Sequence, residues 1–293
     1  MTRIEQFGWR GAVEPGIGRV VSAHGDYYHL VCNEQPTGEI LARKKKSAFM
    51  RMKTVAPVNM KGKKISEERA ELPPLPLTGD FVRFRYNAQG ESMITEVLPR
   101  FSHFERKDPT AKRTSQTLAV NFNTIFVMMS LNENFSTARI RRYLDLAQDM
   151  GAAEVVVVVT KVDLRQDGDE EFFDELREEV GDAARILEIS SLTGEGMDLV
   201  NEYVKPGQTL AFIGSSGVGK STLLNTLMGE EWQATQEIQE WSGKGRHTTT
   251  SRELVMLPSG AMVIDTPGIR EIGMVGEQDD LQAKGESTHR WRK

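Results

Sequence analysis

Residues Gly214–Ser221 read GSSGVGKS, and what flanks them decides the fold of half the chain. Before them, Thr209-Leu-Ala-Phe-Ile213 is a short apolar run, the pattern of a buried strand. After them, Thr222-Leu-Leu-Asn-Thr-Leu-Met228 carries apolar residues at helical spacing. Strand, glycine-rich turn, Lys-Ser and helix together make a phosphate-binding loop. The glycines let successive backbone N–H groups point into one concavity, and the helix N-terminus adds partial positive charge. Gly214, Ser215, Ser216, Gly217, Val218, Gly219, Lys220, Ser221 and Thr222 are therefore candidate nucleotide-binding residues. Lys220 is placed to reach the β- and γ-phosphates and to act in catalysis, and Ser221 to ligate Mg²⁺. A chance Gly-Lys-Ser in an ordinary turn would leave the flanking strand and helix unexplained.

Four further stretches fit the same ligand. Thr160-Lys-Val-Asp163 follows Val155–Val159, five valines in a row that read as a buried parallel strand. A carboxylate there accepts both the ring N–H and the exocyclic amine of guanine, and adenine would leave Asp163 unpaired. Lys161 can lie over the base with its aliphatic stem. Ser190-Ser-Leu192, continuing into Thr193-Gly194, follows the strand Arg185–Ile189, and its backbone can close over the guanine O6. Asp265-Thr-Pro-Gly268 follows another strand; its carboxylate can hold Mg²⁺ and the Gly268 N–H can meet the γ-phosphate. Gly245-Arg-His-Thr-Thr-Thr250 offers a metal hydroxyl, assigned to Thr249 with Thr248 or Thr250 as alternatives. Each stretch alone is weak, since a Lys-x-Asp or a Thr-Pro-Gly turn is commonplace. All lie at strand ends, where open α/β sheets bind ligands.

Upstream, residues 1–15 read as a leader with one helical turn. Residues 16–98 look all-β: Gly18–Ala23, Tyr27–Cys32, Glu39–Ala42, Phe81–Tyr86 and Ser92–Leu98 are strand-like, and about five short strands in this length suggest a small closed barrel. Arg43-Lys-Lys-Lys46, Arg51, Lys53 and Lys61–Lys64 concentrate positive charge here. Such a run is either a solvated face or, on a small barrel, an RNA-binding one. From about residue 104 strand and helix alternate: Thr124–Met129, a helix over Thr137–Met150, the valine strand, a helix over Glu170–Val180, then the phosphate-loop unit and a hairpin, Arg252–Leu257 with Ala261–Ile264. That order implies a mainly parallel sheet covered on both faces.

The totals narrow the class. The chain has 293 residues, 39% hydrophobic, with a net charge of −5, so any nucleic-acid contact must come from a local basic face. Its one cysteine, Cys32, excludes an internal disulfide and an all-protein Cys₄ or Cys₃His zinc site. The sequence has no apolar run long enough to span a bilayer and no apolar signal core near Met1, which gives a cytoplasmic expectation with no membrane partner.

The order of the motifs is the distinctive feature. TKVD and SSLTG come before GSSGVGKS, and HTTT and DTPG after it, so the domain reads as a circular permutation of the usual GTPase order. The chain resembles the circularly permuted GTPases that mature the small ribosomal subunit, the ribosome small subunit-dependent GTPase A family. The resemblance also rests on Thr78-Gly-Asp-Phe-Val82, Val97-Leu-Pro-Arg100 with Arg106-Lys107, Ala119-Val-Asn121 and Arg139-Ile-Arg-Arg-Tyr-Leu144. It implies an OB-fold barrel over residues 1–103 that contacts ribosomal RNA. It implies a circularly permuted GTPase domain over 104–276, binding GTP or GDP with Mg²⁺ and acting with the small ribosomal subunit, as a monomer. Residues 277–293 read as a short polar tail. A P-loop ATPase or kinase, and an RNA-binding module that holds GTP as a structural ligand, are the alternatives; the first leaves TKVD and SSLTG as accidents.

Three departures from the family stand out. Thr160 occupies a position where GTPases more often have Asn. Ile269 follows Asp-Thr-Pro-Gly, where many GTPases place a water-orienting glutamine, so slow intrinsic hydrolysis is expected. The resemblance offers His247 as the catalytic substitute, with RNA contact or a structural role as alternatives. Zinc, expected for the family on three cysteines and a histidine, has no ligand set after Ile272; His289 reads as a surface residue, and ribosome docking through that region is in doubt.

Overall fold

The structure is a computed structural model and describes residues 1–49, 74–107, 115–131, 137–147, 150–151, 153–229 and 253–265. The helical turn expected in the leader is α1 (Arg3–Gln6), closed by reciprocal bonds between Thr2 and Glu5. It is packed rather than free: Ile4 is fully buried, Arg3 donates to the carbonyls of Pro36 and Gly38, and Phe7 joins the core of the larger sheet.

The next strands are β1 (Ile17–His24), β2 (Tyr27–Cys32), β3 (Ile40–Lys44), β4 (Phe81–Arg85) and β5 (Ser92–Val97). They run in the order β1-β2-β3-β5-β4, and an antiparallel β4–β1 pairing closes them into a five-stranded barrel. One pair, β3–β5, is parallel. Val20, Leu30, Ala42, Phe84 and Ile94, one from each strand, fill the inside of the barrel as one buried cluster. A single turn of helix, α2 (Lys46–Phe49), follows β3. Lys61–Lys64, Arg51 and Lys53 lie outside the described residues.

A hairpin then leaves the barrel: β6 (His103–Lys107) pairs antiparallel with β7 (Ser115–Val120). The chain next alternates through β8 (Thr124–Ser130), α3 (Thr137–Ala147), β9 (Glu154–Thr160), a 3₁₀ turn at Val162–Leu164, α4 (Glu170–Val180), β10 (Arg185–Ile189), α5 (Met197–Asn201), β11 (Thr209–Ile213), α6 (Lys220–Met228), β12 (Glu253–Met256) and β13 (Met262–Asp265). Strands β10-β9-β8-β11-β13 are parallel neighbours, and β12 runs antiparallel to β13. The strands are apolar on both faces because both are covered. Val157, Val159, Ile125 and Val127 pack with Ile140, Tyr143, Phe173 and Leu176 of α3 and α4. Val156, Val158, Phe126 and Leu210 pack with Val200 of α5 and Leu223 of α6.

Barrel and parallel sheet form one surface. The first half of β1 closes the barrel against β4, while Ser22 further along pairs with Glu253 of β12. A register shift between Val20 and Ser22 marks a bulge in the β1–β2 ladder. Val20 enters the barrel core and Val21 the α/β core, so one strand stitches two interiors. Behind it lies a buried polar knot. Arg19 donates to the carbonyls of Phe7 at 2.5 Å, Asn121 at 2.9 Å and Gly79 at 3.3 Å, and lies over the Phe81 ring. Burial pushes the Arg19 guanidinium pKa down, with Asp80 pulling the other way. Asp80, also buried, receives two 2.8 Å bonds from Arg100.

Candidate functional site

The candidate residues that are described lie at the C-terminal ends of β9, β10, β11 and β13. The loop after β11 takes its shape from glycine. Gly214 has φ 153°, and a Cβ there would sit 2.4 Å from the Met128 carbonyl oxygen of the neighbouring strand. Gly217 (φ 79°) and Gly219 (φ 92°) are also left-handed, and Gly219 starts α6. Lys220 folds over the turn: its Nζ donates to the carbonyls of Gly214 and Ser215, each at 2.6 Å. Ser221 and Thr222 follow, exposed, on the first turn of α6, and Ser216 and Gly217 are exposed on the loop crest. Val218 is buried under the loop.

The base-recognition stretch is tied to this loop by Thr160. Its side chain is buried, and Oγ1 lies 2.7 Å from the Val218 carbonyl and 3.1 Å from that of Met129. Thr160 therefore holds the two loops together. Lys161 adopts φ 60°, an uncommon conformation for a side-chain-bearing residue, which turns the chain sharply at the end of β9. Val162 is buried in the core and Asp163 is exposed. Ser190, fully buried at the end of β10, is the hub of the second loop. It donates to Asp163 Oδ1 at 2.6 Å, and its Oγ accepts from the N–H groups of Leu192 at 3.3 Å and Thr193 at 3.2 Å. One hydroxyl thus fixes the Asp163 carboxylate and curls the Ser190–Thr193 backbone around it. Ser191 is half-buried, and Leu192 stands 84% exposed.

Asp265 ends β13, whose neighbour β11 leads into the phosphate loop. Gly268, His247, Thr248, Thr249, Thr250, Ile269 and His289 lie outside the described residues. Among the described residues no group of three or more His, Cys, Asp or Glu side chains is placed to hold a metal ion, and no helix is long and apolar enough to cross a membrane.

Two parts of the arrangement carried no role in the sequence. Arg139, in the first turn of α3, reaches the loop with Nη1 3.5 Å from Ser215 Oγ. Asp80, Arg100 and Asn121, quoted only as points of family likeness, converge on the Arg19 knot: Asn121 Nδ2 donates to the Gly79 carbonyl at 3.2 Å, and its Oδ1 accepts from the Phe101 N–H. In the described part of the basic run two cations are paired. Arg43 pairs with Glu91 and stacks over Tyr27, and Lys44 pairs with Asp26.

A phosphate loop in the middle of a parallel sheet, with the carboxylate loop before it in sequence and a five-stranded barrel ahead of both, defines a circularly permuted P-loop GTPase fold. Comparison with known proteins agrees: YjeQ from Thermotoga maritima shares 24% identity at a TM-score of 0.57, covering 86% of this chain and 74% of that one. YloQ, a circularly permuted GTPase, shares 21% at 0.52, covering 88% and 74%. The model of the RsgA GTPase family matches residues 97–275, and the chain belongs to that family. Small ribosomal subunit biogenesis GTPase RsgA 2 of Lactiplantibacillus plantarum is 39% identical over 87% of this chain, and its counterpart RsgA 2 of Listeria monocytogenes serotype 4b is 33% identical over 95%. This chain spans 66% of the Lactiplantibacillus protein, 57% of a Leptospira interrogans relative and 74% of the Listeria one.

Proposed function

We propose that the chain binds guanine nucleotides and hydrolyses GTP to GDP and phosphate, acting in the cytoplasm on the small ribosomal subunit during its biogenesis. The observation that carries this is the Asp163–Ser190 pair, hinged through Thr160 to the loop that holds Lys220. A carboxylate at the end of one parallel strand and a phosphate loop at the end of another suit a base at one end and phosphates at the other. The names of the relatives, small ribosomal subunit biogenesis GTPases, support the partner.

In this reading residues 104–276 carry the nucleotide chemistry and residues 1–103 the contact with ribosomal RNA, in a monomer. Asp163 selects guanine, Lys161 covers the base, and the Ser190–Leu192 backbone meets O6. The Gly214–Gly219 amides and Lys220 hold the phosphates; Lys220 leaves the loop carbonyls for the β- and γ-oxygens and offsets charge that develops as the γ-phosphoryl group departs. Ser221 and Asp265, with Thr249, are oxygen donors of the kind Mg²⁺ takes, and the ion would neutralise phosphate charge there. His247 orients the attacking water in place of the glutamine that Ile269 replaces.

Phosphate release is measured with and without small ribosomal subunits, for the wild type and Lys220→Ala. Stimulation by subunits that Lys220→Ala abolishes is the expected outcome; equal rates in all four arms would sink the enzyme claim. Competition against labelled GDP tests the base: GTP should displace it and ATP should not. Asp163→Asn should weaken guanine binding on the order of 100-fold, since it replaces one of the two acceptor oxygens with an N–H donor facing the exocyclic amine, and should favour xanthine, whose C2 oxygen accepts from the new amide.

A further inference from the structure

Helix α3 follows β8, and β8 pairs with β11, so the topology puts the first turn of α3 beside the phosphate loop. There Ser215 meets two cations at once. Its carbonyl accepts from Lys220 Nζ at 2.6 Å, and its hydroxyl lies 3.5 Å from Arg139 Nη1. The first turn of α3 contains no acidic residue, and Arg139 adds positive charge where the helix dipole is already positive. The helix dipole gives that charge no stabilisation, whereas an anion at the loop would.

We propose that Arg139 is a specificity-determining residue that favours the triphosphate over the diphosphate at the phosphate loop. GTP differs from GDP by one phosphoryl group and its added negative charge. A second cation anchored on the same loop residue as Lys220 acts on that added charge. A guanidinium suits the task because it keeps its charge at all working pH values and its planar fork matches phosphate oxygens. The hydrogen bond to Ser215 fixes the side chain along the loop. The inference rests on the guanine-nucleotide reading above and adds to it which residue senses the terminal phosphate.

The test is equilibrium binding of GDP and of a non-hydrolysable GTP analogue to the wild type, Arg139→Gln and Arg139→Lys, each checked for folding by thermal melting. Arg139→Gln keeps a donor for Ser215 and loses the charge; Arg139→Lys keeps the charge. Arg139→Gln should lose roughly tenfold in affinity for the triphosphate, and less than about threefold for GDP. Arg139→Lys should recover most of the loss, and added salt should narrow the wild-type preference more than that of Arg139→Gln. Equal losses for both nucleotides, or wild-type behaviour in Arg139→Gln, would reduce Arg139 to a tether for Ser215 and overturn the proposal. Should Arg139→Gln fail to fold, Arg139→Lys and the wild-type salt series decide: a lysine variant that keeps the preference, with the preference falling as salt rises, supports it, and a salt-independent preference overturns it. A wild type that binds neither nucleotide overturns the guanine reading instead.

Discussion

A hydroxyl has one proton to give, and the shorter contact directs that of Thr160 to the Val218 carbonyl. Thr160→Val keeps the shape and leaves that buried carbonyl unpaired, a change of about 1–3 kcal/mol. Because the Thr160 hydroxyl joins the two ends of the site through its bonds to the Val218 and Met129 carbonyls, both GTP and GDP should bind more weakly, by roughly tenfold, with guanine still preferred over adenine. Loss of the base preference in a binding titration would show that Thr160 contacts the base. The Tyr143 hydroxyl presents the opposite case: it is buried with no hydrogen-bond partner among the described residues. Tyr143→Phe should leave thermal stability unchanged or raise it by up to about 1 kcal/mol. Burial raises the pKa of Tyr143, Tyr28 and Tyr203 above the ordinary 10.0. The folded chain then keeps these protons longer than the unfolded chain. Their contribution is fully present below about pH 10 and is lost as pH rises beyond it. The melting temperature should bend downward above that pH, less so in Tyr143→Phe.

Elements with strong periodicity or unbroken apolar runs were legible without coordinates. The bounds of α4 and β10 are those the sequence suggests, and the five barrel strands fall within two residues of their expected ends. The β6–β7 hairpin was not seen because His103-Phe-Glu-Arg-Lys107 alternates weakly and reads as a charged linker. The loop after β11 was legible as a motif, but its tolerance to change differs along its length. At Gly214 a Cβ would meet backbone at 2.4 Å in a strand that cannot retreat, whereas at Gly217 nothing lies within 4 Å. Gly214→Ala should cost about 2–3 kcal/mol and abolish nucleotide binding, while Gly217→Ala should cost about 1 kcal/mol from its positive φ alone. Thermal melts of the two variants give the comparison; equal losses would mean that backbone conformation, not the clash with β8, governs both.

Across the whole molecule the sequence separates two architectures, a barrel and a permuted α/β unit, and the structure runs them together. Nothing in Ile17-Gly-Arg-Val-Val-Ser22 announces that one strand serves both sheets or that Arg19 turns inward, because a buried arginine in a strand has no periodic signature. The joint has a direct line to the site: Ser22 pairs with Glu253, and Glu253 pairs with Asp265 at the end of β13. Arg19 reinforces that line by binding the carbonyls of Phe7, Gly79 and Asn121 and by approaching Met262 Sδ at 3.5 Å. With shared core and shared sheet, the chain should unfold in a single calorimetric transition. Arg19→Met keeps much of the volume but removes its donors from the Phe7 and Asn121 carbonyls, leaves the Gly79 carbonyl to Asn121 Nδ2, and takes away a buried positive charge near Asp80, which keeps its ion pair with Arg100. Breaking a buried charge network by removing one partner costs about 3–5 kcal/mol. That loss falls at the joint, so the variant should melt earlier and in two steps, the barrel separating from the sheet. A single transition at the wild-type temperature would mean that the β1–β12 pairing and the shared apolar core hold the two halves together without the arginine.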